Sequence, residues 1–259
     1  TYMIHPNAIV HPNAKVHKTV EIGPFTVIDE HVTIGAGCII GPQAYITGHT
    51  LIGKENRFHA GCVIGDLPQD VKYRGEQTRL IIGEQNTFRE HVTIHRSNSL
   101  DEDTVVGSGN MLMANSHVGH NSTIGDRTIL ANGALVGGHA VIDDGAFISG
   151  NAVVHQFCRI GTMSMMQGCS GVSLDLPPFT IVRGINGMCG LNTVGLKRAG
   201  YSNKERIELK QTYRALFMGK ELLNEAVQKA RKNFNGSLSQ LIIDFVASSE
   251  RGTCSHTKR

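Results

Sequence analysis

A six-residue apolar period limits what this chain can fold into more than any other feature. From Met111 to Val172 an apolar residue falls at every sixth position: Leu112, Val118, Ile124, Leu130, Val136, Ile142, Ile148, Val154, Ile160, Met166 and Val172. A helix repeats near 3.6 residues and a strand near 2, so a strict six means short extended runs separated by turns, stacked as a solenoid. Two positions before each of these residues sits a small or short side chain, at Ser116, Ser122, Thr128, Ala134, Ala140, Ala146, Ala152, Cys158, Ser164 and Ser170. The pairing of one large and one small inward residue predicts a parallel β-helix of triangular section, one hexad to a side and about 18 residues to a coil. Glycine directly after the apolar residue, at Gly119, Gly125, Gly137 and Gly161, is expected at corners that need positive φ.

The same period opens the chain at Ile4, Val10, Val16, Ile22, Ile28, Ile34, Ile40, Ile46, Ile52, Phe58 and Ile64. It breaks at 66–78, resumes at Ile82, Phe88 and Ile94, and breaks again at 96–104. Both breaks read as loops ejected from a rigid scaffold, where binding groups concentrate. After Val172 the repeat is expected to end at Leu174-Asp175-Leu176-Pro177-Pro178, with an irregular bridge to about Gly200. Ser202-Asn203-Lys204-Glu205 fits a capping box opening a helix, and two more helices are expected near 220–234 and 237–249, with Gly236 between them. The expected division is a β-helix over 1–190 and a small helical domain over 191–259, with 252–259 frayed.

Thirty glycines and no tryptophan suit many corners around a thin core. A net charge of +3 argues against a general nucleic-acid surface. The six cysteines show no Cys-x-x-Cys, and Cys38, Cys62 and Cys158 occupy the small inward position, so they read as core thiols. Thr1-Tyr2-Met3-Ile4-His5-Pro6 lacks the pattern of a secretory leader, and no run approaches the ~20 apolar residues of a membrane span. A cytosolic protein without stable membrane insertion is expected.

Thirteen histidines invite a metal reading, and the period decides which of them can meet. Residues six apart lie on different sides, so His5, His11 and His17 point three ways, whereas His31 and His49 stack. His120, His139 and His155 are expected at outward positions on consecutive coils of one side, with His117 at the corner beside His120. Four imidazoles then share one seam, as a wet stack, a metal site or a base with its neighbours. The mixed charges of the faces argue against an ice-binding solenoid.

At Asn115-Ser116-His117-Val118-Gly119-His120, with Val154-His155-Gln156-Phe157-Cys158, Gly168-Cys169-Ser170-Gly171-Val172 and Gly195-Leu196-Lys197-Arg198, the chain resembles the UDP-N-acetylglucosamine O-acyltransferases of lipid A biosynthesis. The resemblance covers essentially the whole chain. It implies an all-β left-handed parallel β-helix with a small C-terminal helical domain, assembled as a homotrimer with active sites between neighbouring subunits. The implied reaction moves a 3-hydroxyacyl chain from acyl carrier protein to the 3-position of the sugar, with no cofactor and no metal. Metal-dependent carbonic anhydrases of this solenoid class resemble a His-x4-His pair plus a distant third, and no His-x4-His occurs here. Such a hydratase is the remote alternative.

Position by position, the resemblance makes His120 the general base and Gly138 the backbone donor to the oxyanion. His117, His139, His155 and Gln156 become substrate contacts, as do Gln69, Asp70 and Lys72 in the first loop. Asn192 and Arg198 become nucleotide contacts, and Met165 and Gly168 line the acyl channel. From the residues alone, Asp70 and Lys72 read as a solvated loop and Arg198 as an ordinary cation.

The sequence also departs from the family. Asn121 follows the base where most members carry aspartate; an amide can accept the imidazole's hydrogen bond but lacks the charge that stabilises imidazolium, so a weaker base is expected. Val194 replaces a glutamate, Ala199 an arginine, and Asn-Ser-His-Val-Gly-His stands for the commoner Asn-Ala-His-Ile-Ala-His. This pattern is similar to the branch that accepts the 3-amino sugar and forms an amide, which is the alternative acceptor.

Overall fold

The computed structural model describes residues 3–257. The chain coils as a left-handed parallel β-helix with three faces, followed by helices. Through the coils, strands of two to four residues stack on the strand three elements later, building a nine-stranded sheet that starts at Ile9–Val10, an eight-stranded sheet that starts at Lys15–Val16, and the first eight strands of an eleven-stranded sheet that starts at Glu21–Ile22. Registers keep the expected step, as in His117 opposite Leu135 and Leu135 opposite Val153.

From Val20 and Ile22 onward, each hexad buries its apolar and small residues together. Ile124, Leu130, Val136 and Ile142 are sealed from solvent, as are Ser116, Ser122, Ala134, Ala140 and Ala152. A core this narrow tolerates no change of volume, and truncating one of the buried isoleucines to alanine costs ~2–5 kcal/mol. Where the small position is asparagine, the buried amide is satisfied by its neighbours: Asn56 Oδ1 accepts from the Asn86 amide N–H (3.0 Å) and Asn86 Oδ1 from that of Asn110 (2.8 Å). Phe58 stacks on Phe88 with ring centroids 4.6 Å apart.

The corners differ from the expectation. Gly119, Gly125, Gly137 and Gly161 do not have positive φ. They are glycine because stacked corners touch: a Cβ on Gly119 would lie 2.6 Å from the Gly138 nitrogen, and one on Gly137 would lie 2.8 Å from the Gln156 nitrogen. The left-handed conformation falls two residues later, at Asn115, Asn121, Arg127, His139, Asn151, Phe157, Met163 and Cys169, immediately before the small inward residue. Short polar side chains accept this conformation most easily. His5 and His11 each accept an N–H from their own corner, at Asn7 and Asn13, and His31 and His49 stack at 4.3 Å.

The coil also runs on past Val172. Leu176 bridges Ile160 in parallel, and Thr180–Arg183 extends the third sheet beside Met165–Met166 before turning into the antiparallel strand Gly187–Leu191. The expected bridge is therefore a hairpin, followed by α1 (Thr193–Arg198). The capping box forms at Ser202 and Glu205 and opens α2 (Asn203–Phe217); α3 (Leu223–Asn233) and α4 (Ser237–Ala247) complete the tail. The end of the chain is not frayed over its described part: Ser255–His256 pairs with Gly187–Met188, and the Tyr213 hydroxyl meets His256 Nδ1 at 2.9 Å. Residues 258–259 lie outside the described residues. No helix among the described residues is long and apolar enough to cross a membrane.

Candidate active site

One edge of the prism collects the chemistry. Both loops leave the coil where the first sheet turns into the second, between strands Val63–Asp66 and Arg79–Ile82 and between Thr93–His95 and Thr104–Val106. The next coils along this edge carry His117–His120, Gly138–His139 and His155–Gln156. The edge walls a cleft of about 520 Å³ lined by Gln69, His95, His117, His120, Gly138 and His155, among others. His117 itself lies on strand His117–Val118, facing outward from the first sheet, while His120 and His139 sit in the corner turns. This reverses the expected arrangement, because a two-residue strand leaves the third and fourth residues of each hexad to turn the corner.

His120 is nearly buried, and its Nδ1 lies 2.8 Å from Asn121 Oδ1. The same oxygen accepts the backbone N–H of Asn98 (3.0 Å), while Asn121 Nδ2 donates to Ser97 Oγ (2.8 Å) and Glu102 Oε2 (3.2 Å). A backbone N–H can only donate, so the amide oxygen must face it. Nδ1 of His120 therefore carries the proton, and Nε2 keeps its lone pair. Asn121 has φ +59, and its own N–H donates to Thr104 Oγ1 (2.7 Å), which fixes the backbone that presents the amide.

Gly138 faces this lone pair. A Cβ there would lie 2.9 Å from His120 Nε2, so only glycine lets the ring stand against the next corner. Among the described residues the Gly138 N–H has no acceptor. His139 meets His120 edge to face at 5.2 Å, stacks on Phe157 at 4.6 Å, and has Nδ1 3.4 Å from Glu102 Oε2.

Burial, with the neighbouring His95 and His120 charges, pushes the His117 imidazole down to about 4, and its Nδ1 is 2.7 Å from Thr93 Oγ1. His95 is 7% exposed, meets His117 edge to face at 4.9 Å, and is also pushed down by burial; its Nδ1 has no partner among the described residues. On the exposed rim, His155 Nδ1 lies 3.1 Å from a guanidinium nitrogen of Arg251. The Gln156 carbonyl oxygen lies equally near the same imidazole nitrogen, at 3.1 Å.

The first loop reaches the same network. Asp70 accepts the Lys72 backbone N–H (2.9 Å) and the Asn98 side-chain amide (2.6 Å), and these bonds, that of Lys72 foremost, hold its carboxyl below the usual range. Gln69 lines the cleft, while Lys72 is exposed.

Met165, Asn192 and Arg198 do not join His120 within one chain. They line a separate cavity of about 460 Å³ on the third sheet with Phe147 and Ile181. Asn192 caps α1 by accepting from the Gly195 N–H (3.0 Å) and donates to the Met163 carbonyl (2.9 Å). Gly168 is exposed at the corner between the third and first sheets, where an added Cβ would meet only the Gly150 carbonyl oxygen at 3.5 Å.

With this geometry in place, comparison with known proteins is decisive. A family model described as UDP-N-acetylglucosamine O-acyltransferase, domain 2, matches residues 175–254, and the six-repeat bacterial transferase hexapeptide model matches 31–66 and 103–138. A curated acyl-(acyl-carrier-protein)–UDP-N-acetylglucosamine O-acyltransferase of Syntrophobacter fumaroxidans is 43% identical over 253 residues, 96% of this chain and 98% of the relative. The chain belongs to the UDP-N-acetylglucosamine O-acyltransferase family. Among solved structures, the UDP-N-acetylglucosamine acyltransferase of Francisella novicida superposes with a TM-score of 0.93 at 34% identity, covering 99% of this chain and 95% of that one. The Bacteroides fragilis acyltransferase superposes equally well at 39% identity, covering 97% and 99%.

Several residues along this edge escaped the sequence reading. His95, Ser97, Asn98 and Glu102 sit in or beside the second loop. Val63 pairs Thr93, thirty residues on, and Thr93 pairs His117, twenty-four on, so the loops push these residues out of the 18-residue step that located the others. The pair Thr93-Ile94-His95 and His117-Val118-Gly119, spaced by one extra hexad, was the one usable signal. Arg251 arrives from the far end of the chain, and no local pattern announces it.

Proposed function

We propose that this acyltransferase moves a 3-hydroxyacyl chain from the thioester of acyl carrier protein to the 3-hydroxyl of UDP-N-acetylglucosamine, the first step of lipid A biosynthesis, with His120 as general base. The observation that carries the reading is the tautomer of His120, whose Nε2 lone pair stands in the cleft against Gly138. Nε2 takes the proton of the sugar hydroxyl as its oxygen attacks the thioester carbonyl. The Gly138 N–H donates to the oxyanion so formed, from a position set before the charge develops. Collapse expels the carrier thiolate, which takes the proton back from the imidazolium. Gln69, Asp70, Lys72, His117, His139, His155 and Gln156 surround the acceptor in this reading. The curated relative of Syntrophobacter fumaroxidans is named for both substrates.

A homotrimer completes the site. Outward residues of the first sheet include Ile9, Tyr45, Leu135 and Val153, and those of the third include Ile39, Ile129, Phe147 and Met165; the second mixes Leu51, Ile81, Val105 and Val141 with Lys15, Thr33, Thr123 and Arg159. Two different apolar faces on one chain support a head-to-tail contact that closes into a ring. Such a ring would set the Met165, Asn192 and Arg198 cavity of one subunit, with Gly168 near it, against the histidine edge of the next. Sedimentation of the purified protein tests this, and a monomer at working concentration would contradict it.

The 3-amino sugar is favoured as acceptor by one observation: the group touching His120 Nδ1 is an uncharged amide. An amine that is partly unprotonated needs less from its base. Parallel assays of the two acceptors decide between them, and equal or greater turnover of the hydroxyl sugar removes the amine reading.

A further inference from the structure

The acid missing from position 121 has a counterpart one hydrogen bond further out. Glu102, in the second loop, brings Oε2 within 3.2 Å of Asn121 Nδ2, on the side of the amide opposite His120. We propose that Glu102 is a positioning residue for His120, polarising Asn121 so that a neutral amide and a displaced carboxylate together replace the single anion the base would otherwise contact. The proposal rests on the reading of His120 as general base.

Three observations carry it. The first is the order of the bonds. Asn121 Nδ2–H donated to a carboxylate draws electron density onto Oδ1, and Oδ1 is the atom that accepts from His120 Nδ1. When the imidazole takes a second proton, the chain ends on a negative charge rather than on a neutral hydroxyl. An amide can make both bonds at once, because it accepts on one side and donates on the other; aspartate can only accept.

The second is the place of the carboxylate. Glu102 does not line the cleft that holds His120 Nε2 and Gly138. It lines a separate hollow of about 540 Å³ on the second-sheet side, with Asp103, Thr123, His139 and Phe157, and the 7%-exposed Asn121 stands between the two. Glu102 therefore acts through Asn121 and not on the acceptor sugar.

The third is the anchoring of the loop. Asp103 forms a two-pronged ion pair with Arg79, at 2.9 Å on each prong, which ties the loop to the neighbouring strand and leaves Glu102 as the carboxylate turned toward Asn121. Residues 121 and 102 are thus matched. With aspartate at 121, the 3.2 Å contact would set two carboxylates against each other.

The charged and titratable groups around His120 come from several elements: Asp70 from the first loop, His95 and His117 from adjacent strands, and His139 from the next corner. His139 shares the Glu102 oxygen at 3.4 Å, so the test must separate it. The Glu102 side chain is 60% exposed, and water screens its charge, so a modest effect is expected.

The test is steady-state acyl transfer over a pH series with the full-length protein, as native chain, Glu102→Gln, Asn121→Asp and the double variant, with His120→Ala as control. Glutamine keeps the size and the acceptor and removes only the charge. In Glu102→Gln, kcat should fall about fivefold with KM held within about twofold and thermal stability unchanged, the scale of one exposed charge. The acid limb of the kcat profile should move to lower pH, because loss of a nearby anion makes the imidazole easier to deprotonate. The limb should move equally in a His139→Gln background. Asn121→Asp should lower kcat or leave it flat in the native background and raise it in the Glu102→Gln background. Overturning results are an unmoved kcat and acid limb in Glu102→Gln, a limb shift that disappears with His139→Gln, or an Asn121→Asp effect equal in both backgrounds. If instead His120→Ala keeps native turnover, the base assignment itself fails, which is a different outcome from a silent Glu102→Gln beside an inactive His120→Ala.

Discussion

Nδ1 of His120 lies 2.8 Å from Oδ1 of Asn121, and that oxygen also takes the Asn98 backbone N–H at 3.0 Å. The two contacts together assign the imidazole proton to Nδ1 and the lone pair to Nε2. Asn121→Ala removes the oxygen that holds this tautomer, and kcat should fall about tenfold to a hundredfold with KM little changed. Nitrogen-15 shifts of the His120 ring report the tautomer directly. An alanine variant that keeps Nε2 unprotonated and its kcat intact would show that another group orients the ring.

Gly138→Ala places a methyl 2.9 Å from His120 Nε2 and Cε1. The ring must give way, and displacement of about 1 Å at a reacting group costs on the order of a hundredfold. Activity should drop on that scale with circular dichroism and melting temperature near native. Native activity in this variant would mean that the ring edge and the Gly138 N–H do not share one reaction site.

His117 supplies a pH signature. Its imidazole is neutral in the folded protein down to about 4, while the unfolded chain takes up a proton near the ordinary histidine value of 6.5. The unfolded state therefore binds more protons between these limits, and stability falls as pH drops from 6.5 to about 4, by about 3 kcal/mol at ~1.4 kcal/mol per unit. Urea unfolding over this range should show a shallower slope in His117→Gln than in the native chain. Identical slopes would contradict the assignment.

The fold was legible because one rule, repeated every six residues, decides the fate of each side chain; Ser122 and Ile124 or Ala140 and Ile142 need no further context. The corner glycines were misread because close approach between coils and positive φ both call for glycine, and a single strand of sequence displays neither. The histidine edge was legible for the same periodic reason, up to the exchange of strand and corner for His117. Glu102 and Asn98 were not, because a loop is free of the period and its contacts depend on where two insertions meet. Met165, Asn192 and Arg198 share a cavity away from His120, and no spacing along the chain relates the two places.

The exposed cations at the start of the helical tail bear on the acyl donor. Lys197 and Arg198 close α1, and Lys204, Lys210 and Arg214 lie exposed along α2. An acidic carrier protein would be steered by them, and the rate at limiting donor should fall with rising salt. Reversing Lys204, Lys210 and Arg214 to glutamate should flatten that dependence and raise KM for the carrier, leaving kcat near native. Unchanged salt dependence would place the docking surface elsewhere.

The central claim is that His120 removes the acceptor proton in an acyl transfer from a carrier thioester. Its most direct test is turnover of 3-hydroxyacyl carrier protein with UDP-N-acetylglucosamine and, in parallel, with the 3-amino sugar, by chelator-treated native protein and by His120→Ala. The account predicts acylated sugar from the native chain and loss of at least about a hundredfold in the variant, the span of a general base. Native turnover by His120→Ala, or no turnover of either acceptor by the native chain, would contradict it.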